Sequence, residues 1–319
     1  MGYFPEHTDE GVRNITQNVY NWLSKTNPVL KVNVLGSLLQ ISKIIHFKPD
    51  IVHVISGPST IRIFCVAKII SVITGKKVIL SAVHLGHISF RVFIKYLKPE
   101  LVLVQSKQTN SYFIGLGCRT KFLPNGVDLE RFTPVDQEHK FQLRQKYGIA
   151  KEKYVILHVG HIRKGRNVST LKNLEQSENQ VIIVGSTSTS MEYEVYKELI
   201  DSGCIVWVQY FEHIEEIYAL SDCYIFPTTD RYSCIETPMS VLEAMACNLP
   251  IITTRFGAIP HLFTEDKDLL FFEKNDELSE KVRILKKSHS ATKNREKVTS
   301  YSWDHISDEI KEIYNECLH

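Results

Sequence analysis

The sequence predicts an α/β protein with two doubly wound parallel sheets, and three observations support this class. The chain has 319 residues, which is enough for two domains of ordinary size. Its hydrophobic content of 43% and charged content of 23% are typical of a folded globular protein. Short uninterrupted apolar runs alternate with helical patterns in both halves, which indicates buried parallel strands joined by helices.

The second half of the chain shows this alternation most clearly. Its apolar runs predict six buried strands: Tyr154–Val159, Gln180–Val184, Ile205–Val208, Cys223–Phe226, Ile251–Thr253 and Leu269–Phe272. Between them, Glu192–Ile200 and Glu215–Leu220 carry apolar residues at helical spacing. This order predicts one parallel sheet with helices on its faces.

The first half repeats the pattern less completely. Its predicted strands are Ile51–Ile55, Val78–Leu80 and Leu101–Val104. The pattern stops at the turn-forming sequence Pro124-Asn125-Gly126, where we predict the crossing between two domains. We place an N-terminal domain at 1–133, a C-terminal domain at 134–300 and a helix that crosses back to the first domain at 301–319. A ligand is expected in the cleft, at the carboxyl ends of both sheets.

The net charge of +2 conceals an uneven distribution. Residues 1–133 carry 16 Lys/Arg against 7 Asp/Glu, so the front half is basic and the remainder is acidic. A basic surface favours an anionic partner, such as a membrane surface or a phosphate-bearing acceptor, although solvated helix faces would give the same composition. The basic amphipathic stretch Phe90–Lys98 fits membrane contact and fits a helix packed on the sheet equally well.

Other features of composition bear on location and metal content. The opening residues are acidic and polar, unlike a signal peptide, and no stretch reaches the roughly 20 apolar residues of a membrane span. The seven cysteines form no CxxC pair and no metal-ligand spacing. We therefore expect a cytoplasmic protein, at most peripheral on the inner face of the membrane.

The stretch from Glu236 to Pro250 predicts a short helix whose N-terminus binds phosphate. Thr237 is a candidate N-cap, with Pro238 at the favoured first helical position. Asn248 can end the helix in a left-handed conformation, and Pro250 prevents its continuation. The free N–H groups and positive dipole end at the start of such a helix form an anion site.

Two carboxylates, Glu236 and Glu243, flank that predicted anion site. An ionised carboxylate only accepts hydrogen bonds, and sugar hydroxyls donate them. A phosphate site with a carboxylate on either side therefore predicts a nucleotide-sugar pocket. The alternative is that Glu236 is a surface charge and Glu243 only stabilises the helix.

A second group of candidate residues follows the predicted strand Tyr154–Val159. Arg163 and Lys164 lie in the sequence Gly160-His-Ile-Arg-Lys-Gly165, where they can neutralise a diphosphate and stabilise its departing charge. The two glycines have the spacing of a P-loop. However, Arg166-Asn167 replaces the required Lys-Ser/Thr, which argues against a nucleoside triphosphatase.

At these residues the sequence resembles the retaining family-4 glycosyltransferases of the two-domain GT-B fold. The matching motifs cover nearly the whole chain: Lys48–His53, Pro124–Pro134, Arg163–Gly165, Leu242–Pro250, Phe256–Pro260 and Tyr301–Trp303. The resemblance implies two Rossmann-like domains that face a cleft. It also implies metal-independent transfer of a sugar, with retained configuration, from a UDP- or GDP-linked donor to a glycan or lipid-linked acceptor in polysaccharide or glycoconjugate biosynthesis.

The resemblance also implies roles for individual donor-side residues. Lys164 and Arg163 would hold the diphosphate, and Glu243 would bind the ribose hydroxyls. The backbone N–H groups of the helix start would contact phosphate, from Met239, Ser240 and Val241.

The remaining implied roles are catalytic and acceptor-side. Glu236 would contact the donor sugar as the first carboxylate, and His84 would lie beside that sugar after the strand Val78–Leu80. Gly11 and Arg13 match the loop and helix that follow the first strand of the family, on the acceptor side.

The sequence departs from the family pattern at three places. Six residues separate Glu236 from Glu243 where the family has seven, and Ile235 occupies the expected first position. His161 replaces the usual arginine after the glycine, which weakens the predicted phosphate site. No predicted strand precedes the Gly11 motif, so we expect an N-terminal domain that lacks its first strand and is poorly stable.

Two other functions fit the same residues. One is a nucleotide-sugar epimerase of the same fold, which would convert its substrate without an acceptor. The other is a non-catalytic degenerate relative, which would bind nucleotide weakly and turn over nothing.

Overall fold

The computed structural model describes residues 1–4, 10–36, 39–57, 59–84, 86, 88, 93–287 and 292–319. The chain forms two compact units. Unit 1 contains Met1–Gly126, Cys234–Thr237 and Trp303–His319, and unit 2 contains Val127–Ser233 and Pro238–Ser302. The chain therefore leaves unit 1 after Gly126 and returns to it twice.

Unit 1 contains a four-stranded parallel sheet. Its strands lie in chain order across the sheet: β1 Ile51–Ser56, β2 Lys77–Ala82, β3 Leu101–Val104 and β4 Thr120–Phe122. Its helices are α1 Gly11–Leu23, α2 Ile41–Phe47, α3 Ile61–Thr74, α4 Ile94–Leu97, α5 Lys107–Gly115 and α13 Trp303–Leu318. The three predicted strands are confirmed. The sequence did not predict β4 because its residues Thr-Lys-Phe form no apolar run.

Within the described part of the chain, the edge of this sheet beside β1 carries only a short pairing. The N–H of Ile55 donates to the carbonyl of Met1, and Gly2 forms an isolated bridge with Asn33. Among the described residues, no strand precedes Ile51. A cavity of about 490 Å³ lies beside this edge, with walls from α1, β1 and α13.

The C-terminal helix α13 packs within unit 1. Trp303, at its start, is one of the largest fully buried side chains of the protein. A Cβ at Gly126 would lie 2.5 Å from Cδ2 of Trp303, so the ring packs directly on the glycine backbone. Of the described helices, none is both long and apolar enough to span a membrane. The stretch Phe90–Lys98 lies partly outside the described residues.

Unit 2 contains a six-stranded parallel sheet. Its strands are β5 Tyr154–Val159, β6 Asn179–Gly185, β7 Ile205–Val208, β8 Cys223–Phe226, β9 Ile251–Thr253 and β10 Leu269–Phe271. Its helices are α6 Gln137–Lys146, α7 Tyr193–Asp201, α8 Ile214–Ala219, α9 Met239–Ala246, α10 Ile259–Leu262, α11 Leu278–Lys287 and α12 Asn294–Val298. All six predicted strands and both predicted helices are confirmed to within one residue at each end.

The strand order of unit 2 is β10-β9-β8-β5-β6-β7. From β5, the chain adds β6 and β7 on one side of the sheet. It then crosses back to the other side of β5 and adds β8, β9 and β10 there. A ligand of an open α/β sheet binds at such a switch point, outside the carboxyl ends of the strands. In unit 2 this point lies at the carboxyl ends of β5 and β8.

Candidate functional site

The start of helix α9 lies at this switch point. The hydroxyl of Tyr224, on β8, donates to the carbonyl of Val159 at 3.2 Å and lies 2.8 Å from Oγ of Ser240. Val159 is the last residue of β5, and Ser240 belongs to the first turn of α9. Tyr224 thus ties the N-terminus of α9 to the carboxyl end of the central strand.

Helix α9 begins one residue later than the sequence predicts. Pro238 is its N-cap, in an extended conformation with φ −64° and ψ 118°, and the first helical residue is Met239. Thr237 does not cap the helix because its backbone is engaged within unit 1. Its N–H donates to Oε1 of Gln105 at 3.2 Å, and its carbonyl accepts from Nδ2 of Asn125 at 2.7 Å.

The C-terminal end of α9 agrees with the prediction. Asn248 adopts a left-handed conformation with φ 60°, just after the helix, as predicted. At the start, the N–H of Val241 donates to the carbonyl of Pro238 at 3.2 Å. The N–H groups of Met239 and Ser240 precede the first helical bond, so they have no acceptor in the helix and lie at the positive end of its dipole.

Glu243 lies one turn into α9 with its carboxylate held by a phenol. The hydroxyl of Tyr218 donates to Oε2 of Glu243 at 2.7 Å, and both side chains are buried. Burial raises the pKa of Glu243, and the hydrogen bond from Tyr218 opposes that rise. Burial and the adjacent Glu243 raise the pKa of Tyr218 well above its usual value, so Tyr218 remains a donor.

Arg163 and Lys164 contact the segment before and within helix α7. The guanidinium of Arg163 donates to the carbonyl of Ser190 at 3.1 and 3.2 Å. Nζ of Lys164 forms an ion pair with Glu194 at 2.9 Å, and both side chains are exposed. Exposed ion pairs are weak, so a phosphate can compete with Glu194 for Lys164. The role of Arg163 and Lys164 in binding the diphosphate stays a prediction.

The sequence motifs did not identify two buried polar residues near the same strand end, Arg166 and His158. The Nε of Arg166 donates to the carbonyl of Ser233 at 2.7 Å, and Arg166 is 7% exposed. His158, on β5, is fully buried and stacks on Tyr224. A histidine inside an apolar strand resembles core sequence, and in the sequence Arg166 marks only a departure from the P-loop pattern.

Glu236 lies in unit 1, bound to the start of helix α5. Its Oε1 accepts from Oγ of Ser106 at 2.9 Å and from Oγ1 of Thr109 at 2.5 Å. Ser106 is also the N-cap of α5 and accepts from the N–H of Thr109. The backbone N–H of Glu236 donates to the carbonyl of Val83 at 3.1 Å. Glu236 is 4% exposed and is fixed at both its backbone and its side chain.

The acceptor-side candidates lie at the start of helix α1. The carboxylate of Glu10 caps this helix and accepts from the backbone N–H groups of Val12 and Arg13. A Cβ at Gly11 would lie 2.9 Å from Cδ1 of Ile235, so Gly11 and Ile235 are in close contact within unit 1. Ile235 is buried there, at the position where the family pattern has its first carboxylate.

The structure distributes the predicted residues between the two units. His84 follows strand β2 in unit 1 and is half-buried. Unit 1 brings Gly11 close to the Ile235–Glu236 segment. Unit 2 places the start of α9 at the end of β5, with Glu243 on the same helix.

Comparison with known proteins finds relatives of similar sequence, among them a transferase and a synthase. The chain is 25% identical to Sulfoquinovosyl transferase SQD2 of Arabidopsis thaliana over 251 residues, which cover 72% of this chain and 47% of that protein. It is 23% identical to Alpha-galactosylglucosyldiacylglycerol synthase of Streptococcus pneumoniae over 179 residues, or 52% of this chain and 47% of the relative. The chain thus spans about half the length of these relatives.

Solved structures share the fold over nearly the whole chain. Anabaena HepE in complex with UDP superimposes with a TM-score of 0.76 and 16% identity, over 98% of both chains. A glycosyltransferase from Rickettsia africae superimposes with a TM-score of 0.69 and 18% identity, over 99% of this chain and 84% of that one. These similarities, with the two parallel sheets, show the GT-B fold.

The family model described as Glycosyl transferases group 1 matches residues 139–315, which is more than half of the chain. This range contains all of strands β5 to β10 and helix α9. The matched segment is therefore the one that builds the switch point of unit 2. With this match, the chain belongs to the group 1 glycosyltransferase family.

Proposed function

We propose that the protein transfers a hexosyl group from a UDP- or GDP-linked donor to a glycan or lipid-linked acceptor, with retained anomeric configuration and without a required metal ion. The observation that carries this proposal is the start of helix α9 at the switch point of unit 2, with the carboxylate of Glu243 one turn away. The resemblance to retaining family-4 enzymes supports the stereochemistry and the metal independence.

The residues of unit 2 offer complementary groups for a nucleotide-sugar. The N–H groups of Met239 and Ser240 can donate to phosphate oxygens at the positive end of the helix dipole. The carboxylate of Glu243, oriented by Tyr218, can accept hydrogen bonds from a pair of ribose hydroxyls. Arg163 and Lys164 supply positive charge against the diphosphate leaving group.

The names of similar proteins support the proposed donor and acceptor classes. Structures of Anabaena HepE were solved with UDP, with UDP and glucose, and with UDP-glucose. One relative from Corynebacterium glutamicum is named as a GDP-mannose-dependent mannosyltransferase of a phosphatidylinositol monomannoside. The names of the Corynebacterium glutamicum relative and of the Streptococcus pneumoniae synthase both specify a glycosylated lipid. We therefore propose transfer rather than epimerisation, with a lipid-linked acceptor as the first class to test.

The donor class can be tested by thermal-shift measurements against UDP-, GDP- and ADP-sugars, with and without a chelator. We expect one nucleotide class to raise the melting temperature, because a ligand that binds only the folded state stabilises it. The shift should be unaffected by the chelator. Sugar transfer from that donor to a lipid-linked acceptor is then measured directly. No shift with any donor would support the non-catalytic alternative, and conversion of donor without acceptor would support the epimerase.

A Glu243→Ala substitution is expected to weaken donor binding by about 1–3 kcal/mol, because it removes hydrogen bonds to a charged acceptor. Isothermal titration with the donor that gives the thermal shift measures this change. Tyr218→Phe is the matched comparison, since it keeps the carboxylate and removes only its orienting hydrogen bond, and it should cost less. Donor affinity unchanged in Glu243→Ala would remove Glu243 from the site.

A further inference from the structure

Helix α3 of unit 1 is apolar on all sides, although one of its sides is exposed. Five of its apolar side chains lie in the core of unit 1. On the outward side, Ile69, Val72 and Ile73 are 39%, 70% and 50% exposed. Because Ile69 lies three and four residues before the other two, the three side chains form one continuous stripe. A helix that is apolar all round is typical of a buried position, so this stripe indicates a contact that the described part of the chain does not supply.

The chain around this stripe is basic and contains no acidic residue. Residues 51–99 include seven Lys/Arg and no Asp/Glu. Arg62 and Lys68 are exposed side chains of α3 itself. Helix α4, which packs against α3, exposes Lys95 and Tyr96. An apolar stripe bordered by cations is complementary to a surface that is anionic outside and apolar beneath.

A concave pocket of about 350 Å³ adjoins the C-terminal half of α3. Four lysines line it: Lys68, Lys76, Lys77 and Lys98. Nζ of Lys77 donates to the carbonyl of Cys317, and the acidic lining residue, Glu100, forms an ion pair with Arg119 at 3.1 Å. In the part of the chain that the structure describes, the other three lysines form no ion pair. Because like charges in one concavity repel each other, an anion that enters this pocket stabilises all of them.

The lysine pocket lies at the amino end of the parallel sheet of unit 1. Helix α3 runs opposite to the strands and ends at Thr74, just before β2 begins at Lys77. The candidate-site residues of unit 1 lie at the other end of the sheet, where His84 follows β2 and Ser106 follows β3 and binds Glu236. Substitutions in the pocket therefore leave the candidate site intact.

We propose that the outward face of α3 and the adjoining lysine pocket form a docking surface for an anionic lipid bilayer. The pocket takes phosphate head groups, and Ile69, Val72 and Ile73 enter the boundary between head groups and acyl chains. A soluble phosphate would fill the pocket and leave the stripe in water. A second copy of the chain would cover the stripe and bring the same positive charges face to face. A bilayer satisfies both features, and the surface is independent of the proposed sugar transfer.

Flotation of the full chain with lipid vesicles tests this docking surface. We expect binding to vesicles of phosphatidylcholine mixed with phosphatidylglycerol, and weaker binding as the salt concentration rises. Binding to phosphatidylcholine alone should be at least about tenfold weaker, because that surface carries no net charge. The combined substitutions Lys68→Gln, Lys76→Gln and Lys98→Gln should weaken binding to the mixed vesicles at least about tenfold, since each lysine near an anionic surface adds attraction.

A matched control separates this pocket from the overall charge of the protein. The combined substitutions Lys151→Gln, Lys197→Gln and Lys287→Gln remove the same charge from exposed positions of unit 2. We expect this variant to bind the mixed vesicles as the wild type does. Equal losses in the two triple variants would show that net charge alone attracts the protein, and they would overturn the lysine pocket.

A second variant tests the apolar stripe while it keeps every lysine. Ile69→Gln combined with Val72→Gln changes only exposed side chains, so the melting temperature should stay close to that of the wild type. We expect vesicle binding at least about tenfold weaker, because the inserted apolar area is lost. Titration with inorganic phosphate should give the same result as for the wild type. Wild-type vesicle binding in this variant would overturn the docking surface and leave a site for soluble phosphate.

Two further outcomes would overturn the docking surface in other ways. A dimer in sedimentation velocity that the Ile69→Gln and Val72→Gln pair abolishes, without vesicle binding by the wild type, would assign the stripe to a second copy of the chain. Absence of both vesicle binding and dimerisation in the wild type would remove any docking role. The thermal shift with nucleotide-sugars tests the proposed sugar transfer separately, so that function would stand in either case.

Discussion

Lowering the pH from 7 toward 4 is expected to destabilise unit 2 by up to about 3 kcal/mol through His158 alone. Burial depresses the pKa of this histidine from 6.5 to about 4 in the folded state. Between these two values the unfolded chain binds a proton that the folded chain does not. The stability contributed by neutral His158 is therefore complete above pH 6.5 and is lost as the pH falls toward 4. The size of the loss follows because each tenfold difference in proton affinity between the two states corresponds to about 1.4 kcal/mol.

Urea unfolding followed at pH 7, 6, 5 and 4.5 measures this effect. Trp207 is the only tryptophan of unit 2 in the sequence, so its fluorescence reports that unit in a background where Trp22 and Trp303 are replaced by Phe. His158→Phe places another aromatic ring beside Tyr224 and should flatten the pH dependence, whereas substitution of the exposed His139 by Gln should not. Equal pH dependence in His158→Phe and the wild type would show that His158 is not the titrating group.

Unit 1 also contains a buried histidine, His53, whose pKa is lowered in the folded state. The ring nitrogens of His53 lie 2.6 Å from the hydroxyl of Tyr314 and 2.7 Å from that of Ser81, a geometry that suits a neutral ring. Burial, and then the charge of the Met1 ammonium, lower the pKa of His53 to about 3. In a Trp207→Phe background, the fluorescence of Trp22 and Trp303 should therefore report acid destabilisation of unit 1 independently of His158 substitutions.

Glu236→Ala is expected to destabilise unit 1 by about 2–4 kcal/mol. The substitution removes the acceptor shared by the hydroxyls of Ser106 and Thr109 and leaves both donors buried without it. It also removes a negative charge from the N-terminus of α5, where the helix dipole stabilises it. Urea unfolding followed by Trp22 and Trp303 measures the change. Glu236→Gln retains a carbonyl oxygen for the two hydroxyls and should cost less.

Glu236→Ala and Glu236→Gln together distinguish a structural role of Glu236 from a catalytic role. The predicted contact between Glu236 and the donor sugar needs the carboxylate itself, so we expect Glu236→Gln to lower kcat while the free energy of unfolding stays close to that of the wild type. Full activity in Glu236→Gln would contradict the catalytic role and leave Glu236 as the residue that fixes the Cys234–Thr237 segment. Equal losses of stability in both variants would instead argue against the hydrogen bonds as the source of the effect.

The strands of unit 2 could be predicted from the sequence because their signal is local. An apolar run such as Cys223–Phe226 can be buried only between two helix layers, and all six predicted strands are present. Strand β4 was not predicted because its residues Thr-Lys-Phe form no such run. Its extended conformation depends on pairing with β3. Its parallel partner lies well outside the window of any local pattern.

The candidate site was only partly predictable, because some of its contacts join residues that are far apart in the sequence. The family motifs identified the loop after β5 and the helix α9, and the left-handed Asn248 was predicted from its position. The start of α9 was misplaced by one residue because the Thr237 N–H donates to Gln105 and the Thr237 carbonyl accepts from Asn125, which holds this backbone in place. Both partners lie far from Thr237 in the sequence, so no local pattern includes them.

By itself, the sequence determined the fold class, the positions of the main strands and the stretches that carry the chemistry. Periodicity, turn residues and motifs are properties of neighbouring residues, so they are visible before folding. Only the tertiary structure decided which polar groups became buried and which partner each received. It bound Oε1 of Glu236 to two hydroxyls, held Glu243 with Tyr218 and joined Nε of Arg166 to the carbonyl of Ser233. The cost of a buried polar group depends on its surroundings in space, and no local pattern contains that information.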